Sequence, residues 1–173
     1  MAKLWIIVVG LLGAVGVAIG AYQAHGLKKL LTARYEAALG SEAMIPASHR
    51  LYRASAEKDD VEGLSPAEID GQIQYHLDNT ASAVEYQLFH TLAMLSIAIL
   101  LLHTPTARRT LNAAAILMLL GVLGFSGGMY LVVFDLGPSL HWVIPIGGVL
   151  MIAGWLVLAA AGSLVASASP EPK

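Results

Sequence analysis

Apolar residues fall in four long runs along this chain, and the polar positions between them set the order of the elements. Leu4–Leu27, Tyr86–Ala107, Thr110–Phe134 and Leu136–Pro170 contain no Asp, Glu, Lys or Arg. Each exceeds the roughly 20 residues that a helix needs to cross a bilayer. They predict transmembrane helices over 4–22, 83–102, 111–134 and 141–161. His103-Thr104-Pro105, followed by Arg108 and Arg109, separates the second from the third, and Asp135-Leu136-Gly137-Pro138 turns the third into the fourth. The first run also has the parts of a secretory signal: Lys3, an apolar stretch, and Ala18-Ile19-Gly20 as a small-residue cleavage site. Its continuation through Ala24 and its stripe of Gly10, Gly13, Gly16 and Gly20 favour a retained helix.

The pattern changes over 28–82, which reads as an extramembrane insertion between the first two spans. From Gly26 to Leu39 a short amphipathic continuation is expected, with Leu27, Leu30, Leu31, Tyr35 and Ala38 on one side and Lys28, Lys29 and Arg34 elsewhere. Such a segment suits either the lipid interface or packing against neighbouring helices. Residues 40–64 show no sustained period and read as a loop. Ser65-Pro66-Ala67-Glu68 then has the form of a helix start, with a capping serine, a first-turn proline and a glutamate three residues after the cap. Ile69, Ile73, His76 and Leu77 follow at helical spacing, and this helix is expected to run, with a break near Asn79, into the second span. The expected fold is therefore an all-α membrane protein: one membrane domain over 1–173, a bundle of four transmembrane helices with a polar, partly helical insertion between helices 1 and 2.

Composition sharpens the class. Of the 173 residues 57% are hydrophobic and 13% charged, against about a quarter charged in a soluble domain. The deficit is uneven, because 16 of the 22 charged residues lie between Lys28 and Glu85. A soluble enzyme, a coiled coil and a disordered chain are excluded. The absence of cysteine removes disulfides and thiolate chemistry. A net charge of −2 offers no basic field for nucleic acid. The lipid bilayer is the partner to expect, with self-association or membership of a larger membrane assembly as further possibilities. Arg108 and Arg109 in a short connection favour cytoplasmic termini in a bacterial plasma membrane, while Lys28 and Lys29 argue the other way.

Polar residues inside membrane helices are costly and mark function or helix pairing. Here the up-down order gathers them at one end, the side from which the insertion emerges (the loop side). Gln23 and His25 leave helix 1 there. Tyr86, Gln87 and His90 enter helix 2, Ser126 and Tyr130 lie in the last part of helix 3, and His141 opens helix 4. These eight are the candidate ligand-binding residues. Each also has a plainer use, in helix pairing for His90, capping or interfacial exposure for His25, and interfacial exposure for His141. No His-x-x-x-His or Glu-x-x-His pair occurs in the helices, so no metal or cofactor is expected. Neither a nucleophile–base pair nor a carboxylate pair stands at diagnostic spacing, so no catalytic residue is assigned. Gly16 and Gly20, Gly124 and Gly128, with Gly127, Gly147 and Gly148, are expected to let helix backbones approach closely.

Four short motifs extend this reading. Gly20-Ala21-Tyr22-Gln23-Ala24-His25-Gly26-Leu27, Glu85-Tyr86-Gln87-Leu88-Phe89-His90-Thr91-Leu92-Ala93, Phe125-Ser126-Gly127-Gly128-Met129-Tyr130, and Pro145-Ile146-Gly147-Gly148 with Ala153-Gly154-Trp155 occur in this order, one on each helix. Together they resemble the signatures of the DUF423 family of small membrane proteins. Gln23 stands where that pattern commonly has glycine, Gly128 where it has serine, and the insertion over about Thr32–Thr80 is longer than the family leads one to expect. The resemblance implies a four-helix membrane fold and a membrane location, and no reaction. The expectation is a non-enzymatic module that binds a small ligand or serves as an accessory subunit of a membrane assembly. The alternatives are a small-solute or proton transporter acting as a homodimer, and a membrane-surface enzyme.

Overall fold

The computed structural model describes residues 2–39, 66–134, 136 and 141–167. The loop expected over 40–64, the capping Ser65 and the Asp135, Gly137 and Pro138 turn lie outside the described residues. Helix α1 (Ala2–Tyr22) passes through one π-helical turn, Gln23–Leu27, into α2 (Lys28–Leu39). Helices α3 (Pro66–His103), α4 (Arg108–Phe134) and α5 (Val143–Ser167) complete the described chain, in which no strand occurs. Four helical stretches, Ala2–Glu36, Ala67–His103, Arg108–Phe134 and Val143–Leu164, are long and apolar enough to cross a membrane.

Helix α3 has 38 residues and no interruption at Asn79. At 1.5 Å per residue it extends about 57 Å, well beyond a hydrocarbon core of about 30 Å. Asn is a poor helix former by only a few tenths of a kcal/mol, which tertiary packing overrides. Gln72, Ile73, His76, Thr80 and Ala83 on either side of it are all buried. Thr80 Oγ1 donates to the His76 carbonyl at 2.7 Å, so the buried hydroxyl is satisfied within the helix itself. The part of α3 that precedes the bilayer is held by α2. Leu27, Leu31 and Tyr35 pack with Ile73 and Val133 in a small apolar cluster, so the apolar side of α2 faces protein. Arg34 donates to the carbonyls of Val133 and Phe134 at 3.4 and 3.3 Å. Those are last-turn carbonyls of α4, where a cation also meets the negative end of the helix dipole.

Within the membrane, α1 packs on α3, α3 on α4, and α4 on α5. Lipid tails are as apolar as leucine, so burial from water gives little drive for helices to pair there. Close approach has to supply it. A Cβ on Gly147 would stand 2.3 Å from the Phe125 nitrogen and 2.8 Å from the Gly121 carbonyl oxygen, so α4 and α5 touch backbone to backbone. A Cβ on Gly121 would lie 2.5 Å from Met151 Cγ, one on Gly124 3.1 Å from Gly147 Cα, one on Gly128 2.9 Å from Ile144 Cγ1, and one on Gly154 2.6 Å from Met118 Cγ. On α1, a Cβ on Gly16 would stand 2.9 Å from Leu88 Cδ2 and one on Gly20 3.2 Å from Val84 Cγ1. Gly127 has open space where a side chain would go, and Gly148 only an ordinary contact with Phe125. Gly121, absent from the stripes read in the sequence, belongs to the tightest part of the seam. At the opposite end of the bundle Trp5, Met94, Ile97, Leu111 and Met118 form the main apolar cluster.

Candidate functional site: a polar interior and a lateral cleft

Gln87 stands on the side of α3 that faces both α1 and α4, and is 2% exposed. Its Nε2 donates to the Leu12 carbonyl on α1 at 2.7 Å. Its Oε1 accepts from the Tyr130 hydroxyl on α4 at 2.9 Å. The amide orientation is dictated by chemistry, since a carbonyl oxygen can only accept. Gly16 makes room for this group: a Cβ there would be 3.2 Å from Gln87 Nε2. One turn closer to the loop side, Ser126 Oγ, fully buried, donates to the Ala83 carbonyl at 2.8 Å. Thr91 Oγ1 closes a local bond to the Gln87 carbonyl at 2.7 Å. These groups hold α1, α3 and α4 together, and every hydroxyl proton among them is engaged.

His90, three residues further along α3, faces α5 instead. Trp155 Nε1 donates to His90 Nε2 at 3.1 Å, and His90 Nδ1 lies 2.7 Å from the Tyr86 carbonyl. An indole N–H is a donor only, so Nε2 accepts and Nδ1 carries the proton given to Tyr86. Both ring nitrogens are thus engaged in the neutral imidazole. The Tyr86 ring stacks on His90 at 6.3 Å and 18° and leans on Phe125 at 5.1 Å, while Trp155 meets His90 edge-on at 6.0 Å. Glu85, Tyr86, Phe89, His90 and Trp155 together line a cleft of about 330 Å³ between α3 and α5. Tyr86, Phe89 and Trp155 remain substantially exposed, so the cleft opens sideways, toward where lipid would lie.

The eight residues singled out in the sequence therefore fall into separate places. Gln87, Ser126 and Tyr130 belong to the interior ties, and Tyr86 and His90 to the lateral cleft. His25 is exposed on the π turn and lines a different, open depression of about 590 Å³ with Lys28, Lys29, Thr32 and Glu36. Gln23 is half-buried on the same turn, and His141 half-buried just before α5. Among the described residues no three His, Asp or Glu side chains converge as a metal site would require. Phe89 and Trp155, which the sequence offers only within the motifs, were not among the candidate ligand-binding residues. An indole near the middle of an aliphatic helix, well inside the interfacial belt where tryptophan usually sits, was the available signal.

Architecture and chemistry together define a small helical membrane protein with a glycine-packed bundle, a closed polar interior and one aromatic lateral cleft. A family model described as "Protein of unknown function (DUF423)" matches residues 19–148, and the chain belongs to that family. A Haemophilus influenzae protein named UPF0382 membrane protein is 38% identical over 79 residues, covering 45% of this chain and 60% of the relative. The Staphylococcus saprophyticus UPF0382 membrane protein SSP2132 is 27% identical over 156 residues, 90% of this chain and 93% of the relative. The Escherichia coli K12 UPF0382 inner membrane protein YgdD is 31% identical over 81 residues, 44% of this chain and 57% of that protein. The Haemophilus and Escherichia matches thus span less than two thirds of those relatives. No solved structure matches the chain.

Proposed function

We propose that this protein is a non-enzymatic membrane module that takes a small amphipathic ligand from the bilayer into the cleft between α3 and α5. The observation that carries this reading is the contrast between interior and cleft. The hydroxyl protons of Ser126, Tyr130 and Thr91, and both an N–H and the oxygen of the Gln87 amide, are engaged in ties between or within helices. Aromatic faces and a carboxylate instead line a concavity at the lipid-facing surface. The same closure argues against a polar path through the bundle, and His90, with both ring nitrogens already bonded to Tyr86 and Trp155, gives no support to catalysis.

A location in a bacterial plasma membrane is supported by the name of the Escherichia relative. Cytoplasmic termini are supported by Arg108 and Arg109, both exposed in the short passage from α3 to α4, where positive charge counts most.

The test is a photo-crosslinking amino acid placed at position 89 in cells. An adduct of lipid or metabolite mass is expected. An adduct of protein mass would turn the cleft into a subunit contact and favour an accessory role, and no adduct at all would remove the binding reading.

A further inference from the structure

The cleft has a chemical bias that follows from which of its groups are already engaged. His90 has no ring nitrogen left, with one bonded to the Tyr86 carbonyl and the other to Trp155. Trp155 has a single N–H, and His90 holds it. Neither can serve an anionic or carbonyl ligand. What stays available is the Tyr86 hydroxyl, the ring surfaces of Tyr86, Phe89 and Trp155, and the Glu85 carboxylate. Glu85 is exposed and makes no hydrogen bond or ion pair among the described residues.

Its position matters as much as its charge. Glu85 precedes His90 by five residues, so it stands about 7.5 Å closer to the loop side on α3. That puts a carboxylate at the upper rim of an aromatic cleft, near the level where lipid headgroups begin. A carboxylate at that level can meet a cationic headgroup directly. The negative faces of aromatic rings attract the same kind of partner, and aromatic cages are a known recognition mode for substituted ammonium groups. Toward the bilayer centre, Leu92 on α3 and Leu156 on α5 expose apolar surface suited to acyl chains.

Resting on the reading of this cleft as a binding site, we propose that it holds the ammonium group of an aminophospholipid, with Glu85 as counter-charge and the rings of Tyr86, Phe89 and Trp155 against the cation. The lipid source follows from the lateral opening: an ammonium that reaches a cleft facing the bilayer arrives attached to an acyl chain.

Native mass spectrometry of the full-length protein in mild detergent tests this. The protein is offered phosphatidylethanolamine and phosphatidylglycerol with matched chains at equal concentration. Retention of the ethanolamine lipid is expected to exceed that of the glycerol lipid roughly fivefold, the scale of a cation–π contact of modest strength. Glu85→Gln is expected to lower the ratio. Phe89→Ala is expected to lower it with the carboxylate intact. Both side chains are exposed, so an unchanged melting temperature is the control for folding. Equal retention of the two lipids by the unaltered protein overturns the ammonium assignment, as does a Glu85→Gln protein that keeps the preference. If lipid still crosslinks at position 89 in that case, the binding reading stands and only its ligand class falls. Soluble tetramethylammonium that binds in a Glu85-dependent manner without any lipid preference overturns the lipid source.

Discussion

Gln87 joins three helices because its amide is bifunctional, donating to α1 through Nε2 and accepting from α4 through Oε1. Thr91, one turn away and equally buried, bonds only within its own helix. The two residues therefore differ in what their removal costs. Gln87→Leu should destabilise the bundle by about 1–2 kcal/mol, because it strands the Tyr130 hydroxyl as well as losing the bond to Leu12. Thr91→Val, nearly the same shape, should change stability by less than about 0.5 kcal/mol. Unfolding in bicelles, or melting temperature in detergent, compares them directly, and equal effects would contradict the network. A polar residue in an apolar run is visible at once in the sequence. Whether it is spent on a neighbour or kept for a ligand depends on the rotation of each helix, which a short run of residues does not specify. That is why Gln87 and His90, three apart on one helix, ended in different environments.

At the scale of the element, glycine carries the pairing of α4 with α5. Gly147→Ala would drive a methyl group onto the Phe125 nitrogen and the Gly124 carbonyl carbon, so the helices must separate. A loss of about 1–3 kcal/mol is expected, in line with overpacking of a tight interface. Gly127→Ala enters open space, so it should be neutral or stabilise by up to about 1 kcal/mol through helix propensity. Thermal unfolding of the two variants reads this difference in sign. Helix α2 depends on a different force, burial of Leu31 and Tyr35 against Ile73 and Val133. Leu31→Ala should cost about 2–4 kcal/mol locally and raise hydrogen exchange across α2, with the α4–α5 seam unchanged. The small-residue spacings of Gly16, Gly20, Gly124 and Gly128 were legible in the sequence. The partner of Gly121 was not, because the rotation of α4 against α5 decides that it faces Met151 and Gly147.

Four spans bring the chain back to the side where it began, and this bears on the whole molecule. The sequence has no cysteine, so single cysteines report topology without background. Lys3→Cys and Arg109→Cys should react with a membrane-impermeant maleimide from one side, and Lys28→Cys and Leu136→Cys from the other. Labelling of Lys3→Cys and Lys28→Cys from the same side would break the four-span arrangement. By itself the sequence determined the class, the number and order of the spans, and the end of the bundle where polar residues collect. It could do so because transfer of charge and backbone into hydrocarbon is governed by composition and length along a contiguous stretch. Only the tertiary structure decided that α3 runs unbroken past Asn79, that α2 packs on protein, and that His90 and Trp155 complete one another across a cleft. Those outcomes rest on interhelical contacts, across 65 residues of separation in the case of His90 and Trp155, where shape and donor–acceptor pairing choose among placements that composition leaves equal.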